Sequence, residues 1–145
     1  MRTIAVADVG GTHARFALAT IDAGKVVSLG KPVKLNTSDH GSFQLAWEEF
    51  GRREKIDLPQ ELALSFAGPV GGEVLKLTNN PWVIRPALMK ERLGVDRFTI
   101  VNDFGAVGYA VATLPDEDFR HISGPQRPLH KHGVTSIVGP GTVPS

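Results

Sequence analysis

The sequence has 145 residues, enough for one domain of ordinary size with a buried core and with little room for a second full domain. Its 16 Lys+Arg against 15 Asp+Glu leave a formal net charge of +1, which argues against a nucleic-acid binder, because neutralising phosphates takes a surplus of basic side chains. The absence of cysteine excludes a disulfide scaffold, a Cys-ligated zinc site and a thiol nucleophile within this stretch. No apolar run approaches the roughly 20 residues of a membrane span, and Met1-Arg2-Thr3 lead into a strand-like run without a signal-peptide pattern. A soluble cytoplasmic chain is the expectation.

In chain order, residues 3–9 are apolar and β-branched and end in Gly10-Gly11, and residues 14–20 alternate well enough for a second strand. Two such runs around a Gly-Gly turn predict a β-hairpin. Residues 25–35 give a third strand after the Asp22-Ala23-Gly24 turn. The period then changes: Phe43, Ala46, Trp47 and Phe50 fall at helical spacing. Ser38 or Asp39 is the expected cap, and Gly51 or the Asp57-Leu58-Pro59 stretch the expected end. Residues 61–67 read as a buried strand stopped by Gly68-Pro69, followed by a short run over 74–78. Pro86 suits the first position of a short helix and Gly94 its stop. Residues 97–101 predict another strand. Ala106, Val107, Ala110, Val111 and Leu114 form one apolar stripe of a helix beginning at Asp103. A polar loop over 115–133 precedes a last strand over 134–138. This order predicts an α/β fold whose mixed sheet starts antiparallel and extends parallel.

Several stretches carry chemistry. Asp8-Val9-Gly10-Gly11-Thr12-His13-Ala14-Arg15 is neither a Walker A loop nor a dinucleotide fingerprint, since its glycines lie between two strands. Glycines let backbone N–H groups approach an anion, a Thr hydroxyl adds a donor, and an Asp at the strand end can hold a metal-bound water. A plain hairpin turn accounts for Gly-Gly alone; the full D-x-G-G-T-x-x-R string is much more specific. Asn102-Asp103 sits where a strand gives way to a helix, the place where α/β folds bind ligands. Asp103 as helix cap is the simpler account, and a cap also fixes a carboxylate in space. Leu77-Thr78-Asn79-Asn80-Pro81-Trp82 has the amides and indole of a sugar-facing loop, against a turn followed by a core Trp. That simpler account is stronger for Trp82 than for Asn79. Gly139-Pro140-Gly141-Thr142 looks like the start of another phosphate-binding turn. His130-x-His132 lies in a polar loop with no neighbouring ligand spacing and reads as solvated.

Taken together and in order, these strings, with Ala67-Gly68-Pro69-Val70, resemble the bacterial glucokinase family of the actin-like/hexokinase ATPase superfamily. The resemblance implies a ribonuclease H-like (actin-like ATPase) domain, with a mixed sheet, an antiparallel β-meander start and flanking helices. It implies ATP-dependent phosphorylation of glucose at O6. By that resemblance Ala7, Asp8, Val9, Gly10, Gly11 and Thr12 hold ATP phosphates, with Asp8 near Mg²⁺ through water. Asn102 and Asp103 hold glucose, Asp103 takes the proton of the 6-hydroxyl, and Asn79 is a further sugar contact. Gly139, Gly141 and Thr142 match the second phosphate motif, whereas Val143, Pro144 and Ser145 depart from it where two glycines belong, and Pro144 lacks an N–H donor.

The resemblance further implies that residues 1–138 are the small N-terminal lobe and 139–145 the start of the second phosphate motif and hinge. The large C-terminal lobe is then absent, so the chain by itself is expected to be inactive. Its expected partners are glucose and ATP, with no nucleic acid and no membrane, and a homodimer in the full-length form. The rival reading is a sugar-binding regulator or sugar kinase of the repressor/ORF/kinase family, which shares D-x-G-G-T and the Asn-Asp pair. Regulators of that family carry a DNA-binding segment ahead of the motif, which here begins at residue 8.

Overall fold

Alternating apolar residues build the first strand, β1 (Arg2–Val9), which turns Ala5, Ala7 and Val9 into the core. It pairs antiparallel with β2 (His13–Asp22), placing Asp8 opposite Arg15 and Val9 opposite Ala14. The structure, a computed structural model, describes residues 1–129 and 132–140. It divides into two units, Met1–Ala106 and Val107–Ser145.

The single strand expected over 25–35 is instead two, β3 (Lys25–Leu29) and β4 (Val33–Asn36), which pair with successive stretches of β2. The break falls at Gly30, whose N–H donates to Leu18 O at 2.8 Å, and at Pro32, which has no N–H to offer a ladder.

A 3-10 turn over Thr37–Asp39 then leads into α1 (Phe43–Glu54). The cap is Ser42, whose side chain accepts from Leu45 N at 3.2 Å, and not Ser38 or Asp39, which the 3-10 turn takes up. Nor does Gly51 stop the helix, which continues to Lys55 in the left-handed region at φ 55°. Gly51 serves close packing: a Cβ there would sit 2.8 Å from Leu58 Cγ.

Next comes β5 (Glu61–Phe66), parallel to β1. The short run over 74–78 forms one arm of a small hairpin of its own, β6 (Leu75–Leu77) and β7 (Asn80–Ile84). Helix α2 (Pro86–Leu93) starts on Pro86 and closes on Gly94 at φ 66°, as expected. Strand β8 (Arg97–Asn102) pairs parallel with β5, and α3 (Asp103–Thr113) follows. The sheet order is β3-β2-β1-β5-β8, with β4 also on β2. This is the mixed sheet with an antiparallel start and flanking helices.

In the first unit one face of the sheet carries the core. Phe16 of β2 meets Phe43, Trp47 and Phe50 of α1 at ring-centroid distances of 5.6, 6.2 and 5.4 Å. Leu62, Leu64 and Phe66 of β5, Met89 and Leu93 of α2, and Leu75, Leu77, Trp82 and Ile84 of the small hairpin complete it. Both buried indoles are satisfied: Trp47 Nε1 donates to Leu93 O at 3.3 Å and Trp82 Nε1 to His40 O at 2.7 Å.

The second unit holds the rest of α3 and a 3-10 turn, Asp116–Asp118. The strand expected over 134–138 does not form; that stretch is irregular, with Val134 and Val138 exposed. Among the described residues no helix is long and apolar enough to cross a membrane.

Candidate functional site

Strands β1, β5 and β8 are parallel neighbours, so their C-terminal ends share one edge of the sheet, the edge where such sheets bind ligands. Val9 is level with Phe66, and Phe66 with Asn102. From this row the chain runs into Gly10–Thr12, Ala67-Gly68 and Asp103. The three exits are tied together: Ala67 N donates to Val9 O at 3.0 Å, and Asn102 Nδ2 donates to Gly68 O at 2.9 Å. The turn of the small hairpin joins them, since a Cβ on Gly11 would lie 3.7 Å from Asn79 Cβ. Motifs more than ninety residues apart in sequence thus meet at one edge.

The glycine turn is not the usual tight hairpin. Neither Gly10 nor Gly11 has the positive φ that a two-residue primed turn demands. Nor does the protein crowd them: a Cβ on Gly10 would meet only His13 O at 3.8 Å, and one on Gly11 only Asn79 Cβ. The space over both glycines is therefore open, a cradle that side chains would fill, as a turn that lets its backbone approach a phosphate requires. Gly10 N donates back to His13 O at 2.9 Å. Thr12 is exposed, whereas Ala7 and Val9 have their side chains in the core and their backbones in the sheet between β2 and β5, where Val9 O already accepts from Ala67 N.

A residue not singled out from sequence holds this turn. Thr37 is only 5% exposed, and its Oγ1 donates to Gly11 O at 2.8 Å with Thr12 O at 3.1 Å. Its backbone N–H donates to Thr12 O at 3.0 Å. Its only mark in the sequence is a Thr ahead of Ser38-Asp39, both better helix caps than Thr.

Asp8 is half-exposed and its Oδ2 accepts from Arg15 Nη1 at 3.2 Å. Register sets Lys34 of β4 opposite Arg15, so Asp8, Arg15 and Lys34 form a row across three strands on the face away from the α1 core. His13, next along that face of β2, has its pKa lowered from 6.5 by desolvation first and then by the charges of Lys34 and Arg15. Among the described residues no group of three or more His, Cys, Asp or Glu could hold a metal. Asp8 still fits a magnesium ion held through water, because that ion keeps most of its waters and takes one or two carboxylates plus substrate phosphates.

The Asn-Asp pair divides its labour. The cap of α3 is Asn102 and not Asp103: Asn102 Oδ1 accepts from Phe104 N at 3.0 Å and Gly105 N at 3.3 Å. Asp103 is the first helical residue, exposed, with Oδ1 accepting from Phe104 N at 2.8 Å and Oδ2 without a protein partner among the described residues. In the small hairpin, Asn80 is structural, its Oδ1 accepting from Trp82 N at 2.8 Å; Trp82 is core, and Asn79 is exposed beside Gly11. Gly139 lies in irregular chain of the second unit, and Gly141, Thr142 and His130 lie outside the described residues.

Comparison with known proteins extends these observations. The glucokinase family model matches residues 5–143. The glucokinase of Zymomonas mobilis subsp. mobilis is 51% identical over 142 residues, which cover 98% of this chain and 44% of that protein. This chain spans less than half the length of the curated relatives it matches. A crystal structure of glucokinase from an Antarctic psychrotroph superposes with a TM-score of 0.71 over 81% of this chain and 37% of that one, at 32% identity. An inorganic polyphosphate/ATP-glucomannokinase from Arthrobacter sp. strain KM shares the fold, with a TM-score of 0.53 over 77% of this chain and 48% of its own, at 21% identity. The common fold is the actin-like ATPase fold of sugar kinases.

Proposed function

The chain belongs to the glucokinase family, and from that premise we propose that it is the N-terminal lobe of an enzyme that transfers the γ-phosphoryl group of ATP to O6 of glucose. The observation that carries this reading is the shared edge of β1, β5 and β8, which sets the glycine turn and Asp103 two strands apart. Strand spacing makes that roughly 10 Å, room for a phosphoryl group and a sugar hydroxymethyl between them.

Phosphoryl transfer passes through a loose transition state in which positioning and charge neutralisation matter more than proton removal. The open turn over Gly10 and Gly11 and the Thr12 hydroxyl hold the phosphates of ATP. A magnesium ion near Asp8, when bound, supplies the positive charge that offsets the developing phosphate charge. Asn79 contacts the sugar beside the glycine turn. Asn102, already spent on the α3 cap and the Gly68 carbonyl, has one N–H left for the sugar. Oδ2 of Asp103, without a protein partner among the described residues, accepts the proton of the 6-hydroxyl as O6 bonds to the γ-phosphorus and the bond to the β,γ-bridging oxygen breaks. Gly139, Gly141 and Thr142 begin the second phosphate motif. The full-length enzyme is a cytoplasmic homodimer with residues 1–138 as its small lobe.

A coupled assay for glucose 6-phosphate tests this. The full-length protein turns over with ATP and Mg²⁺, and the 145-residue chain alone does not, because one lobe cannot position two substrates. Normal turnover by the chain alone would contradict the assignment as a lobe, and no turnover by the full-length protein would contradict the activity.

A further inference from the structure

Thr37 is buried beside the glycine turn without reaching the open side of it, and its three contacts there have a directional consequence. One hydroxyl carries one proton, and the shorter contact, 2.8 Å, assigns it to Gly11 O. The Thr12 carbonyl is served by Thr37 N–H at 3.0 Å. Two successive carbonyls therefore face Thr37. In a planar trans peptide the C=O and the following N–H point in opposite directions. Fixing the Gly11 and Thr12 carbonyls on Thr37 thus turns the N–H groups of Thr12 and His13 away from it. Successive N–H groups facing one side form an anion-binding concavity. Gly10 and Gly11 leave that backbone uncovered.

The anchor is itself fixed. Thr37 opens the 3-10 turn that links β4 to α1, its carbonyl accepts from His40 N at 3.3 Å, and Asn36 Nδ2 donates to Asp39 Oδ2 at 3.1 Å across the same turn. The orientation of the glycine turn is thereby referred to the core helix α1. The glycines by themselves, with no side chains to pack, would leave their peptide planes free to rotate.

We propose that Thr37 is a positioning residue of the phosphate site, holding the Gly11 and Thr12 carbonyls so that the Thr12 and His13 amides face the phosphates of the nucleotide. This rests on the reading of Gly10–Thr12 as the turn that holds those phosphates.

The test compares Thr37→Val, Thr37→Ser and Gly11→Ala in the full-length protein. It reads KM for ATP and for glucose, and the affinity for a non-hydrolysable ATP analogue by calorimetry. Thr37→Val keeps the shape but removes the hydroxyl, and is expected to weaken ATP and the analogue roughly tenfold, the effect of losing one oriented contact, with KM for glucose unchanged. Thr37→Ser restores nucleotide affinity. If Thr37→Val does not fold, Thr37→Ala removes the same hydroxyl and carries the same expectation. Unchanged nucleotide affinity in the hydroxyl-deleted variant, or failure of Thr37→Ser to restore it, while Gly11→Ala does weaken ATP, overturns the role of Thr37 and leaves the phosphate turn standing. Unchanged affinity in Gly11→Ala as well overturns the phosphate turn itself.

Discussion

Asn102 Nδ2 donates to Gly68 O at 2.9 Å while Oδ1 of the same side chain caps α3 through Phe104 N and Gly105 N. One amide thus fastens the exit of β5 to the start of the helix that presents Asp103. Asn102→Ala should destabilise the first unit by about 1–2 kcal/mol, most of it the lost cap. Asn102→Ser retains a capping oxygen, so its smaller loss reads the tether to Gly68. Urea unfolding followed by tryptophan fluorescence measures both, since Trp47 and Trp82 lie in the core of that unit.

Two glycines answer to different demands, and alanine separates them. At Gly11 the backbone φ is ordinary and the space open. Gly11→Ala should therefore shift stability by no more than about 0.5 kcal/mol while raising KM for ATP. At Gly51 the new Cβ would lie 2.8 Å from Leu58 Cγ. Gly51→Ala should cost about 1–3 kcal/mol through overpacking and leave KM for ATP unchanged. Paired unfolding and kinetic measurements on the two variants distinguish a turn kept open for a ligand from a helix kept thin for packing.

His13 should titrate below 6.5, because desolvation and the charges of Lys34 and Arg15 all oppose its protonated form. Lys34→Gln removes one of the smaller causes, so the midpoint should rise part of the way and not the whole of it. The sign for stability follows: the folded state disfavours protonated His13, so its contribution is fully present above pH 6.5 and is lost as pH falls through the lowered midpoint. An NMR titration of the imidazole in wild type and Lys34→Gln checks the direction of both shifts.

Much of the fold was legible because its signals are local. The apolar, β-branched run over 3–9, the alternation in 14–20, the buried-type run over 61–67 and the Pro86 and Gly94 brackets each fix an element without reference to anything distant. Local signals mislead where a tertiary partner decides. Residues 25–35 look continuous, and only the bond of Gly30 N to Leu18 O and the missing donor of Pro32 split them. Ser42 competes with Ser38 and Asp39 for the cap of α1, and the 3-10 turn settles it. Asn102 and Asp103 are both good caps, and the one whose amide also reaches Gly68 takes the position. Val134 to Val138 reads as strand from its β-branched residues, yet it has no neighbouring strand to pair with among the described residues. The motif string exposed the glycine turn, but its support by Thr37 spans more than twenty residues and leaves no pattern in sequence.

The assignment of Asp103 as the base is the centre of the account, and Asp103→Asn in the full-length protein tests it most directly. Because Asn102 carries the cap, the substitution leaves the start of α3 intact and replaces only the oxygen that receives the proton. The expected result is a fall in kcat of roughly 10²–10⁴-fold, the usual contribution of a general base, with glucose affinity and thermal stability close to those of the unmodified protein. A kcat close to that of the unmodified enzyme would contradict the assignment.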